Sequence, residues 1–168
     1  MPDICAVILD QHNQFRRRFA ELDDLRREPA EHLERLWLWL GDVLDRHAAA
    51  EERCFYPELL ACGARGADET RDAIGDHDDI RDAVRDAGRE PVGSKRWWNA
   101  VIQARRANSD HMAEEERGAL ADFRTHVDTA RRAELGARFL VEIRDIADHV
   151  DIHADVDPNS YIEAHSVS

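Results

Sequence analysis

A chain of 168 residues with 23 basic and 36 acidic side chains carries a formal charge of −13, which repels nucleic acid and anionic membrane, so neither is expected as a partner. The length supports one domain with a core that needs no staples; Cys5, Cys54 and Cys62 form no paired framework and fit a reducing cytoplasm. No apolar run approaches the roughly 18 to 20 residues of a membrane span, and Met1-Pro2-Asp3-Ile4 lacks the basic start and apolar stretch of a signal peptide.

Charged residues are 35 % of the chain, with only eight glycines and five prolines, a balance suited to long amphipathic helices. A first helix is expected after Asp3 as N-cap and runs to about Arg27, with Ile4, Ile8, His12, Phe15, Phe19 and Leu22 on one stripe. Glu28-Pro29 breaks it, with Pro29 suited to the first turn of a second helix that runs to about Cys62 and is kinked or tightened by Pro57. Its stripe is Leu36, Leu40, Val43, His47, Glu51 and Cys54. After a turn at Gly63 to Gly66, a third helix runs to about Ala87 with Ile74, His77, Ile80 and Val84 inward. Ser94 caps a fourth, whose stripe reads Trp97, Val101, Ala104, Asn108, His111, Glu115, Gly118 and Ala119. A fifth starts near Asp128 with Leu135, Phe139 and Ile143, and the tail from Asp151 has no period and reads as irregular.

Short connections between four long helices imply an all-α, up-down-up-down four-helix bundle over about residues 3–127, extended by the further helix and tail over 128–168 within one domain of 1–168.

Within that frame one phrase is written twice. His47-Ala-Ala-Ala-Glu51-Glu52-Arg53 and His111-Met-Ala-Glu-Glu115-Glu116-Arg117 lie 64 residues apart, and upstream of each is a lone histidine on an apolar stripe, His12 with Phe15-Arg16 and His77 with Ile80-Arg81. Residues four apart share a helix face, their Cβ atoms about 5–6 Å apart, so each pair offers one nitrogen and one carboxylate to the same point. One such pair is commonly a solvated helix face; six candidate ligands on core-facing stripes are another matter, because buried polar groups without partners are costly. Four imidazoles and two carboxylates exceed the needs of one tetrahedral ion. The count suits two irons, with Glu51 and Glu115 as bridges and His12, His47, His77 and His111 as terminal ligands; imidazole with carboxylate also suits manganese, and ligand type does not exclude zinc, so these two stand behind iron. Glu114 rivals Glu115 by spacing, but the duplication aligns Glu115 with Glu51 and Glu114 with Ala50.

Other residues have plainer readings beside functional ones. Tyr56 packs at a bundle end, or approaches the site as a hydrogen-bond donor or ligand. Asp76 and Asp78 are solvated charges, or orient an imidazole. Cys54 reads as small core filler, and Trp37, Trp39, Trp97 and Trp98 as core and rim aromatics. His149 and His153, four apart, offer a second metal site with Asp148 or Asp151 but lie outside the duplicated unit, while His32, His126 and His165 read as surface or tail residues. The fifth helix and tail are placed to cover an opening of the bundle.

His12, the first His-x-x-x-Glu-Glu followed by Phe55-Tyr56-Pro57, the lone His77 and the second His-x-x-x-Glu-Glu together resemble the hemerythrin family, in its HHE cation-binding branch, over about residues 5–125. The resemblance implies a bundle around a non-heme di-iron centre with carboxylate bridges and an oxo or hydroxo bridge. Oxygen-carrying relatives have a fifth histidine one turn from the third-helix ligand and an aspartate five residues after the fourth-helix histidine; here Ala73 and Arg81 flank His77 by one turn, and the carboxylate is Glu115. A missing histidine implies an open coordination position. Two functions are therefore expected: an oxidoreductase reacting with dioxygen or peroxide, with a small organic substrate as a further partner, or a non-catalytic module that binds or senses oxygen, nitric oxide or iron.

Overall fold

The computed structural model describes residues 2–146 and 153–166, all helix and connection without a strand among them. Four long helices form the bundle: α1 (Ile4–Asp24), α2 (Ala30–Cys54), continued after a break by α3 (Tyr56–Cys62), α4 (Gly66–Gly88), and α5 (Lys95–Arg117), continued by α6 (Ala119–His126). Then come α7 (Thr129–Ile146) and α8 (Pro158–His165).

The caps follow the sequence. The Asp3 carboxylate accepts from the Cys5 amide at 2.9 Å and the Ser94 hydroxyl from the Trp97 amide at 3.1 Å, each supplying an acceptor to an orphan first-turn N–H. Pro29 stands one position earlier than expected, as the N-cap of α2.

Three expectations about element ends need correction. The second helix does not continue to Cys62; it breaks at Phe55, because Pro57 has no N–H to return to the Arg53 carbonyl. That carbonyl instead accepts from Arg138 of α7 at 3.2 Å. The fourth helix likewise stops at Arg117, with Gly118 at φ −101°, ψ −89° separating it from α6. Among the described residues the tail is irregular over 153–157 and at 166; Asp157 caps α8 by accepting from the Ser160 amide at 2.8 Å, with Pro158 in its first turn.

The core lies in two apolar clusters. One gathers Ile4, Ile8, Phe55, Ile74, Leu120 and Phe123 near the start of the chain, and the other Phe19, Leu22, Leu40, Trp37, Val84 and Trp97 at the opposite end. On each long helix the histidine falls between residues of the two clusters, so the bundle has a polar layer sandwiched between dry ones.

Helix α7 packs along α1 and α2. Its Gly136 lies so close to the first residues that an added Cβ would stand 2.1 Å from the Pro2 carbonyl oxygen, and Arg132 holds the Asp3 carboxylate at 2.7 Å. No described helix is long and apolar enough to cross a membrane.

Candidate metal centre

All six expected ligands are buried at the middle layer. On α2, His47 Nε2 lies 2.9 Å from Glu51 Oε1; the other oxygen, Oε2, lies 3.2 Å from His77 Nε2 of α4 and 4.0 Å from His111 Nε2 of α5. Glu51 thus belongs to two tight groups of ligand atoms, His12/His47/Glu51 and Glu51/His77/His111, each within 4.8 Å. Glu115 is joined differently. Its Oε2 is 3.3 Å from His12 Nε2, while Oε1 accepts a hydrogen bond from the Tyr56 hydroxyl at 3.1 Å. Glu114, the rival by spacing, is exposed.

His77 Nε2 and His111 Nε2 meet each other at 3.3 Å, but most of the other inward atoms are close without being aligned for hydrogen bonding. His12 Nε2, His47 Nε2, both Glu51 oxygens and Glu115 Oε2 are buried without a hydrogen-bond partner. Buried orphan acceptors and donors cost free energy unless something else engages them. A cation does so, and imidazole nitrogen with carboxylate oxygen is a donor set that iron, manganese and zinc accept.

Each ring is also held from behind. Nδ1 of His12 meets Glu116 at 2.9 Å, that of His47 meets Gln11 at 2.6 Å, that of His77 meets Glu52 at 2.9 Å and that of His111 faces Asp76 at 3.4 Å. An acceptor at Nδ1 keeps the proton there and turns the Nε2 lone pair inward, the usual outer support of metal-bound histidine. Of the two aspartates flanking His77, Asp76 therefore serves His111, whereas Asp78 accepts from the Val156 amide at 3.1 Å.

Asp76 is among the residues the sequence offers for orienting an imidazole; the other three supports are missed in the sequence, although the repeat carries the signal of the two glutamates. The second glutamate of each Glu-Glu pair crosses to the lone histidine of the other half, and the arginine four residues after that histidine closes the triangle. Arg16 donates to Glu116 at 2.7 Å and Arg81 to Glu52 at 2.9 Å. Tyr56 is also more than a packing residue at the bundle end, being fully buried with its hydroxyl on Glu115.

Charges at the centre are strongly coupled. Burial disfavours the protonated His77 ring, but Glu51 and Glu52 outweigh it and raise its pKa to about 9. Burial likewise opposes protonation of His12, and Glu115 with Glu51 raises it nonetheless. For His47 burial prevails and the pKa falls. Burial alone would raise the Glu51 carboxyl, yet His47 and His77 hold it well below its ordinary value. Burial and the neighbouring carboxylates push the Tyr56 phenol far up, so it stays a donor.

Residues 3–123 match the family described as hemerythrin HHE cation binding domain. The chain belongs to this family. No curated protein and no solved structure matches it. The hemerythrin-like bundle and its His/Glu layer together point to a metal-binding site.

Elsewhere, the His153 ring is engaged by Asp45 at 2.6 Å, and His149 lies outside the described residues. His32, His126 and His165 are exposed. All three cysteines are free thiols.

Proposed function

We propose that His12, His47, Glu51, His77, His111 and Glu115 hold two iron ions, and that the protein is an oxidoreductase acting on dioxygen or peroxide. The observation that carries the reading is Glu51: one buried carboxylate with one oxygen turned to His47 and the other to His77, neither satisfied within the protein. Two ions fit this division better than one. Bound iron would supply the redox chemistry. The protein's own contribution is orientation and dryness: Nδ1 hydrogen bonds fix the rings of His12, His47 and His77, Asp76 faces that of His111, and Tyr56 holds a neutral hydroxyl against Glu115, positioned to keep a proton beside the centre. Phe15 and Phe139 wall the His47 side with apolar surface, their ring centroids 5.0 and 6.0 Å from the imidazole.

Metal analysis of iron-grown protein, with peroxide and oxygen consumption measured on the same sample, tests the proposal. Two irons per chain, catalytic turnover and loss of both irons in Glu51→Ala are expected. One tightly held ion, or stoichiometric binding without turnover, overturns the two-iron or the enzymatic part respectively.

A sensing role draws support from one set of contacts. His77 rests on Glu52, Glu52 on Arg81 and Arg81 on Asp45, which accepts from the His153 backbone amide at 3.2 Å; Tyr161 bonds the Glu52 carbonyl. The C-terminal segment therefore touches the outer support of a ligand. A sensor built this way shows different hydrogen exchange over 153–166 in apo and iron-loaded protein; identical exchange removes this reading.

A further inference from the structure

The two sides of the centre differ in access. Beside Gln11, a cavity of about 70 Å³ is walled by Phe15, Val43 and Ile143. Between the start of α4 and the end of α5 lies one of about 290 Å³. Its mouth carries exposed Asp72 and Glu114 together with Arg65 and Arg117, half-buried Glu69 and Asp76 follow, and the floor is buried Ala73, His111 and Glu115. The larger space reaches two of the ligands, His111 and Glu115, whereas none of the six lines the smaller one. Glu115, on that floor, is buried and has one oxygen, Oε2, without a hydrogen-bond partner.

We infer that this cavity is the loading route by which a hydrated divalent metal ion reaches the centre, with Asp72, Glu69 and Glu114 collecting it and Ala73 leaving the floor open. The acids of the wall outnumber its two arginines, so the cavity concentrates cations, and charged clefts of this kind raise on-rates by ten- to a thousandfold. Carboxylates at the mouth are hard oxygen donors that bind such ions weakly and release them, whereas the floor offers the nitrogen and carboxylate pair of α5. Asp76 sits between, and because it also faces His111 it is a positioning residue for that ligand. The inference rests on the reading that the centre binds metal.

Anaerobic uptake of Co²⁺ by full-length apo-protein, followed by the visible absorption of the bound ion, tests it. Ala73→Phe should slow uptake about tenfold or more, and the paired change Asp72→Asn with Glu114→Gln should slow it several-fold and flatten its dependence on ionic strength, both with unchanged final stoichiometry. Val43→Phe, in the small cavity, should load at the wild-type rate. Should Ala73→Phe fail to fold, the paired mouth substitution, confined to exposed side chains, carries the test. Wild-type rates in both α4–α5 variants, or slow uptake in Val43→Phe alone, overturn the route. Wild-type protein that takes up no Co²⁺ overturns the metal-binding reading itself, and the route with it.

Discussion

The two triangles that support the lone histidines are copies of one design in different surroundings. In His12–Glu116–Arg16 the glutamate and arginine side chains are 27 % and 43 % exposed; in His77–Glu52–Arg81 they are 11 % and 1 % exposed. Arg81 also binds Asp45 at 3.0 Å, and Asp45 in turn receives the C-terminal segment. Duplication thus specifies direction, namely which carboxylate crosses to which ring. Burial decides how much each contact is worth, since screening weakens the exposed triangle and desolvation makes the buried one costly to break.

Arginine removal gives the sharpest contrast. Arg81→Met strands Asp45 and Glu52 without their cation and should lower unfolding free energy by about 3–5 kcal/mol. Arg16→Met should cost about 0–1 kcal/mol. Urea denaturation of the two variants measures the difference, and equal losses would show that burial does not separate the triangles.

At the level of metal binding, Glu52→Gln should weaken affinity by about ten- to a hundredfold, the range for lost outer-shell carboxylates. Glu116→Gln, in the wetter triangle, should have the smaller effect. Competition with a chelator of known affinity ranks them, and the opposite ranking counts against the comparison.

A pH series sharpens the same point in apo-protein. Because folding raises the His77 pKa from 6.5 to about 9, its charged contacts contribute stability that is full below about pH 6.5 and is lost as pH rises through 9. Metal needs the neutral ring, so affinity should climb across that window while apo stability declines. Denaturation and metal titration at pH 6.5 and 9 check both slopes; parallel slopes would remove His77 from the ligand set. The smallest effect is expected at the C-terminal pair: His149→Ala and His153→Ala should leave iron content near two per chain, although His153→Ala should loosen the docking on Asp45 by the hydrogen-exchange measurement above.

Much of this was legible in the chain. Apolar periodicity places His12, His47, His77 and His111 on core-facing stripes, and the repeated phrase separates Glu115 from Glu114, which the structure finds exposed. Local spacing speaks only of neighbours on one helix, however. The crossing of Glu52 to His77 and of Glu116 to His12 spans 25 and 104 residues, so it depends on how the hairpins pack. Tyr56 stays ambiguous in the sequence, a packing residue or a donor at the site, for a related reason: the helix break falls just before it, and its hydroxyl reaches Glu115 of another helix. Helix α8 did carry a signal, Asp157 ahead of Pro158, but eight residues are too few to set a period against the polar tail.

The close approach at Gly136 has a mechanical meaning. Helix α7 presses Phe139 over His47, yet its backbone is keyed into Pro2–Ile4 and its Arg132 grips Asp3, the residue that caps the helix bearing His12. To swing outward, α7 would have to unthread the start of α1 and drag on the His12 helix. It is therefore a lintel rather than a door: the wall over His47 is braced by the residues that open α1, and the wider approach to the ligands lies on the other side, in the cavity between α4 and α5.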